Sequence, residues 1–427
     1  MTEKRANRTI KRGRIFGSSS KNKYICTIRA LARIRINNMK RTHTIGFDAT
    51  KANDNITGRG NYSCFVIEAM SKACSENTYF RMYTPKRQPN PSYDALDRLP
   101  NVESMEPDGS FWRKFSGLWR LWRLSHDAER GDVELFHGLD NRLPLGLGKR
   151  DIRSVVTVHD MHFVSHPTSI LPFKRLFNLI AMRSTCRRAD RIIAVSESTK
   201  RDIIKYLDID SDKIDVIYPG YNPIYGAPIS EERVAEVKAK YDLPERYILN
   251  VGAQHERRNI SAIIDAMDKL DYEIHLVAVG RRTSYTNRIR RQARSAAIEK
   301  RLHLLHNIDN EELAALYHGA TALVYPSLHA SFGTPIVEAM SVGTPVIAAK
   351  GSSHEEAGGS HTIYITPNDS DELAEKIDLV LNNEELRQNM IKRGKQYVTR
   401  FRAEVCAYNI LNCYKRIGID ITDDRYF

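Results

Sequence analysis

A chain of 427 residues with 41% hydrophobic and 27% charged side chains is too long for one ordinary core, so two α/β-sized domains are expected. The formal net charge is +13, but the first forty residues carry +11 of it, with twelve Lys/Arg against one Asp/Glu. The body is nearly neutral and nucleic acid is not an expected partner. Six scattered cysteines without a CxxC pair, and no run of eighteen apolar residues, argue against a disulfide framework, a zinc site and a membrane-spanning helix.

Residues 1–40 form a basic leader, expected to be disordered, with no apolar run long enough for a secretory signal. It reads as a basic tail, as a transit-peptide-like segment, or as sequence ahead of a true start at Met39. From Thr42 to Ala49 the pattern THTIGFDA predicts a first buried strand, then a polar loop, Thr50 to Gly60, and a helix over Asn61–Lys72. Strand-like runs follow at Val133–His137, Ser154–His159 and Arg191–Val195. A turn-rich stretch, Tyr218 to Pro223, with an exposed-looking segment to Glu231, is the expected linker. A second alternation begins there, with strands at Tyr247–Val251, Ile274–Val279 and Leu302–Leu305 separated by helical patterns. An amphipathic helix over Arg400–Ile417 closes the chain. Strands alternating with helices predict parallel sheets covered on both faces. The domains are expected at 41–222 and 232–395, with 396–427 returning to the first.

The stretch Tyr325–Pro345, YPSLHASFGTPIVEAMSVGTP, is the most informative. Two Gly-Thr-Pro turns flank a helical pattern, with an apolar strand before and another after. That order places a helix N-terminus, with unpaired amides and a positive dipole end, at the carboxyl edge of a parallel sheet, which suits a phosphate. Glu338 is expected in the first turn, able to accept from a sugar hydroxyl. An ordinary βαβ unit with glycines in its turns is the other reading.

Four segments in order, ADRIIAVSESTKRDI (189–203), VGAQHERRN (251–259), NEELAALYHGATALVYPS (310–327) and SFGTPIVEAMSVGTPVIA (331–348), resemble the family 4 retaining glycosyltransferases. The resemblance covers roughly Thr44 to Ile417. It implies the GT-B fold, two Rossmann-like doubly wound domains facing across a cleft, and a bacterial enzyme of surface-polysaccharide type. The implied donor is a nucleotide-diphosphate sugar, with GDP-mannose the first choice and UDP-hexoses next. The implied acceptor is a glycan or a polyprenyl-linked saccharide. No cofactor is implied. The expected place is the cytoplasm, at the inner face of the membrane.

Residue by residue, the resemblance puts the donor diphosphate at Gly252, Arg257 and Arg258, and places Gly58 and Gly60 opposite them in a TGxGN loop. The amides of Phe332, Gly333, Thr334 and Ile336 serve phosphate and sugar oxygens, Glu338 holds the ribose, and Asn307 lies near the base. His159, ending the VTVHD segment, sits near the transferred sugar and works through hydrogen bonds, with Asp160 in support. The chain departs from the family in four places. Arg258 stands where a Lys is usual, Ala253 where an Arg is common, leaving Arg257 or Arg281 to replace it, Ala330 where the first Glu of Glu-x7-Glu is usual, and Ser331 where a Gly is usual. The family is thought to let the departing diphosphate take the acceptor's proton on the same face of the sugar. With no DxD motif at a strand end, no metal is expected. The alternatives are a GT-B nucleotide-sugar epimerase or a non-catalytic nucleotide-sugar-binding module.

All three tryptophans fall in FWRKFSGLWRLWRL, residues 111–124. As one helix this puts Trp112, Trp119 and Trp122 on an aromatic face opposite Arg113, Arg120 and Arg123, the pattern of a helix lying in a membrane interface. A stripe packed into the first domain is the alternative. His137 is a further candidate on the acceptor side.

Overall fold

A computed structural model describes residues 43–54, 58–75, 77–165, 171–270 and 272–422; the basic leader and Thr57 lie outside them. Two all-parallel sheets carry the fold. The first is ordered β3-β2-β1-β4-β5-β6-β7, from β1 (His43–Asp48), β2 (Thr78–Tyr83), β3 (Val102–Met105), β4 (Leu135–Gly138), β5 (Arg153–Val158), β6 (Arg191–Ala194) and β7 (Ile214–Val216). The second is ordered β10-β9-β8-β11-β12-β13, from β8 (Tyr247–Val251), β9 (His275–Val279), β10 (Leu302–Leu305), β11 (Ala322–Tyr325), β12 (Val346–Ala349) and β13 (Ile363–Ile365). Strand order reverses between β1 and β4 and between β8 and β11, so each sheet opens a crevice at its carboxyl edge there, where ligands of doubly wound folds sit.

Four strands escaped the sequence reading: β2, β3, β7 and β13. They carry charged or half-buried residues, such as Arg81 and Glu103, that blur an apolar run. The central strands are buried along nearly their whole length and read cleanly. The expected linker is exposed at Asn222, Pro223, Gly226–Pro228 and Ser230, but aromatic side chains anchor it. Tyr221 and Tyr225 are buried in the second core, and Tyr218 stacks on Phe332 with ring centroids 5.4 Å apart.

The closing helix, Ala403–Lys415, packs against helix Gly58–Ala73 and places Cys406, Ile410 and Tyr414 in the core of the first sheet. His137 is part of that junction. It is fully buried, with Nδ1 2.7 Å from the Tyr414 hydroxyl and Nε2 2.9 Å from Thr157 Oγ1, and burial lowers its pKa to about 3. Both ring nitrogens are engaged, so the acceptor-side role expected of His137 is corrected to a structural one.

The tryptophan segment is also corrected. It breaks into helices Ser110–Lys114 and Ser116–Leu118 and a π-turn, Trp119–Arg123, because Phe115 leaves helical geometry at φ −103°, ψ 54°. Trp119 is core, its Nε1 donating to Asp127 Oδ2 at 2.7 Å, and Arg120 turns inward to pair with Asp48 at 2.6 Å. Trp112 borders the same core, and only Trp122 of the three is exposed.

Removing the Tyr414 hydroxyl leaves a buried imidazole nitrogen without its partner. Tyr414→Phe should destabilise the protein by about 1–3 kcal/mol in urea unfolding while leaving nucleotide binding unchanged. Because folding depresses the His137 pKa, the unfolded chain binds the extra proton. Stability should therefore fall as pH drops below the ordinary value of 6.5 towards 3.

Candidate donor-binding cleft

The carboxyl ends of β8 and β11 build one wall. After β8 the chain turns at Gly252, φ +136°, where a Cβ would stand 2.8 Å from Arg258 Nε. Glycine is required because the guanidinium lies across this turn. Arg257 and Arg258 follow this turn. They sit in a 3-10 turn, Glu256–Arg258, and Asn259 in left-handed geometry redirects the chain into helix Ile260–Met267. Arg258 donates to the Tyr325 hydroxyl and lies 5.1 Å from that ring's centroid, while its Nε is buried without a partner. Arg257 Nη1 reaches the His329 carbonyl at 3.3 Å.

The cationic character of this wall has a local witness. His255 has its pKa lowered by burial and then by Arg257, Arg281 and Arg258. Arg257 is itself lowered by burial and by Arg258. A concentration of like charge that disfavours its own protonated forms suits an anionic ligand.

Helix Thr334–Val342 points its N-terminus at the carboxyl edge, led in by Gly333 at φ +105°. Of the four amides expected to be available, that of Ile336 is not, since it donates to the Gly333 carbonyl at 2.9 Å as the first turn closes. Phe332 is buried between Tyr218 and Phe401, so its ring is structural. Glu338 is the fifth helical residue and stands in the second turn rather than the first. Its Oε2 accepts from Tyr317 at 2.8 Å, and burial raises its pKa to about 7. Asn307 is exposed, in left-handed geometry at φ +55°.

The opposite wall comes from the first sheet. Gly58 opens helix Gly58–Ala73 with nothing within 4 Å of an added Cβ, and Gly60, two residues on, is buried. Between them Arg59 pairs with Asp140 at 3.1 Å and Asp160 at 3.0 Å. His159 is buried, its Nε2–H donating to the Leu139 carbonyl at 2.8 Å and its ring packed edge-on against Tyr62 at 4.7 Å. Burial and then Arg59 lower its pKa. The ring is therefore a neutral imidazole whose Nδ1 carries the lone pair, an acceptor for a hydroxyl.

The two walls meet at Ser331, which donates to Asp160 Oδ2 at 3.1 Å and whose carbonyl accepts from Ser196 at 3.0 Å. Glu356 caps helix Glu197–Leu207, accepting from the amides of Glu197 at 2.6 Å and Ser198 at 2.9 Å. Ala330 is buried, its carbonyl held by Ser352 at 2.7 Å and Ser353 at 2.9 Å. Arg59, Asp140, Tyr317 and Glu356 were not singled out in the sequence, and Ser331 only as a replacement for the family's usual Gly. Arg59 lay inside the glycine loop and Asp140 followed a strand end, but their pairing depends on sheet order. Among the described residues, no group of three or more His, Cys, Asp or Glu is placed to hold a metal ion.

Glu338 supplies a pH test. If this carboxylate is the acceptor for a ribose hydroxyl, it would accept best when ionised, so nucleotide affinity should rise as pH passes through about 7, and Glu338→Gln should flatten that profile in calorimetry. Folding raises this pKa above its ordinary 4.5, so the ionised group opposes folding above that value. The same substitution should stabilise the ligand-free protein at alkaline pH by on the order of 1 kcal/mol.

Two family profiles match the chain: "Glycosyltransferase Family 4" over residues 66–224 and "Glycosyl transferases group 1" over residues 233–397. The O-antigen chain mannosyltransferase RfbU of Salmonella typhimurium is 29% identical over 246 residues, 58% of this chain and 65% of that protein. The O-antigen chain mannosyltransferase B of Escherichia coli is 26% identical over 381 residues, 84% of this chain and 96% of the relative. Among solved structures, Anabaena HepE in complex with UDP and glucose superposes with a TM-score of 0.71 at 18% identity, covering 88% of this chain and all of that one. Sucrose-phosphate synthase of Thermosynechococcus elongatus gives 0.72 at 20% identity, covering 88% of this chain and 99% of that one. The chain belongs to the family 4 glycosyltransferases and has the GT-B fold.

Proposed function

We propose that this glycosyltransferase moves a mannosyl group, with retention and without a metal ion, from GDP-mannose to a glycan or polyprenyl-linked saccharide. The same reading assigns residues 41–222 to the acceptor and 232–395 to the donor. The observation that carries it is the pair Arg257 and Arg258, held over the Gly252 turn by Tyr325 and the His329 carbonyl, four residues ahead of Gly333 at the start of helix Thr334–Val342. Fixed positive charge and peptide dipoles there stabilise a departing diphosphate. The relatives' names support mannose, and the lipid-linked acceptor is supported by the exposed Phe111, Phe115 and Trp122, which would meet the inner face of a membrane.

In this reading Glu338 holds the ribose and Arg258 the phosphates. The bond from the anomeric carbon to the diphosphate oxygen breaks. The acceptor hydroxyl oxygen then bonds to the same face of the sugar, and its proton passes to the departing phosphate oxygen. His159 Nδ1 accepts from a hydroxyl of the transferred sugar and holds it against the leaving group. Asp160 keeps Arg59 at the opposite wall.

The buried Ala330 favours a second reading, a nucleotide-sugar-binding module without catalysis, because the position lacks the family's usual carboxylate. Incubation with GDP-mannose and a panel of saccharide acceptors separates the two. The enzyme reading expects a product of retained anomeric configuration by NMR, unchanged by EDTA. Donor binding without transfer or hydrolysis favours the module, and loss of transfer in EDTA overturns the metal-free mechanism. Arg258→Ala should weaken donor binding by about 2 kcal/mol or more. His159→Ala should lower kcat roughly tenfold with little change in KM, as expected of one hydrogen bond made to the reacting sugar.

A further inference from the structure

Outside the cleft, positive charge is concentrated in one place. Residues 281–301 carry eight Lys/Arg and one Asp/Glu, a net +7, whereas residues 41–427 together carry +2. The rest of the body is therefore −5. Arg281 and Arg282 follow β9, and helix Tyr285–Ser295 brings Arg288, Arg290, Arg291 and Arg294. All six are exposed, because the helix turns Thr286, Ile289 and Ala293 inward.

Local carboxylates do not cancel this charge. Glu256 pairs with Arg288 at 2.8 Å, Glu299 pairs with Arg294 at 2.8 Å and is also acted on by Arg290, and Asp265 accepts from Gln292 at 2.7 Å. Arg281, Arg282 and Arg291 make no ion pair among the described residues. Within the helix, Arg288 and Arg291, Arg291 and Arg294, and Arg290 and Arg294 stand three or four residues apart, spacings at which like charges repel. The arrangement costs stability, so it points to an anionic partner.

Position decides which anion. The patch is joined to the donor wall by backbone contact, since Gly280 packs on the Gly252 carbonyl and leaves no room for a Cβ. The Gln254 amide donates to the Arg281 carbonyl at 3.0 Å, and the Thr283 hydroxyl donates to the Gln254 carbonyl. Arg288 holds Glu256, the residue directly ahead of Arg257 and Arg258. A long polyanion would use the helix and be indifferent to this turn, whereas a small dianion bound at the turn would cross the field of the patch on its way in.

We propose that the exposed arginines of residues 281–294 are an electrostatic approach for the donor, drawing a nucleoside diphosphate or its sugar conjugate toward the Arg257–Arg258 turn. They raise the association rate and make no contact with the bound ligand, Arg281 excepted. The helix spans about 16 Å. Screening sets in over about 8 Å at physiological ionic strength, so Arg282 beside the turn acts there, and Arg294 at the far end acts mainly in dilute salt. The proposal rests on the donor reading of the cleft and adds residues that govern arrival rather than binding.

Stopped-flow measurement of a fluorescent GDP analogue binding to the full chain separates arrival from departure. Arg282→Gln/Arg290→Gln/Arg291→Gln should lower the association rate constant about fivefold at low ionic strength and leave the dissociation rate constant unchanged. The difference should vanish near 0.5 M salt, written as about 0.5 M NaCl. Lys392→Gln/Arg393→Gln/Lys395→Gln removes equal charge from helix Glu384–Tyr397, where Lys395 lies against Gly343 at the far end of helix Thr334–Val342, and should slow association much less. Equal association rates in the arginine variant and wild type overturn the proposal, and retention on heparin that the variant loses would then assign the patch to a polyanion. A change confined to the dissociation rate also overturns it, because it would mean direct contact with bound ligand. Failure of wild type to bind the analogue at all sinks the donor reading, and this proposal with it.

Discussion

The structure depends on positive charge held in place before any ligand arrives. Arg257, Arg258 and Arg281 lie close enough to disfavour protonation of His255, and Arg59 adds to the field at Arg257 from across the cleft. Carboxylates offset part of this: Asp140 and Asp160 pair with Arg59, and Asp160 also acts on Arg257. The glycine at 252 exists so that Arg258 can lie over the backbone, and helix Thr334–Val342 adds the dipole of its N-terminus. Arranging cations without their counter-ion costs stability, which under the proposed function a bound diphosphate would return as affinity and, once charge develops on the departing group, as rate.

A second set of contacts keeps the walls facing each other. Ser331 bonds to Asp160 and Ser196, and Glu356 caps a helix of the opposite wall. Each of these polar contacts is of modest strength. The junction of the closing helix is different in kind. Tyr414, His137 and Thr157 are sealed in apolar surroundings, and Tyr62 continues from Thr157 to the edge of His159. A residue that looked like an acceptor contact thus belongs to the framework that positions the site.

The central strands and the glycine turns were legible because burial on both faces writes an apolar run, and only glycine fits the backbone at 252 and 333. Arg258 and Glu338 could be placed on the right wall from motif order alone. The four missed strands were not legible because their side chains answer to neighbours rather than to a period. The Trp119 face failed for a related reason: a wheel assumes one straight helix, and the break at Phe115 rotates Trp119 into the core. Arg59 with Asp140 and Asp160 could not be read at all, since sheet order brings together residues 81 and 101 positions apart.

The central claim is that the cleft recognises a pyrophosphate rather than a base or a sugar. Calorimetry of the intact chain with guanosine, GMP and GDP tests it most directly. The account predicts that GDP binds at least about a hundredfold tighter than GMP, with a salt-dependent affinity, and that guanosine binds weakest. Equal affinities for GDP and GMP, or binding indifferent to salt, would contradict it.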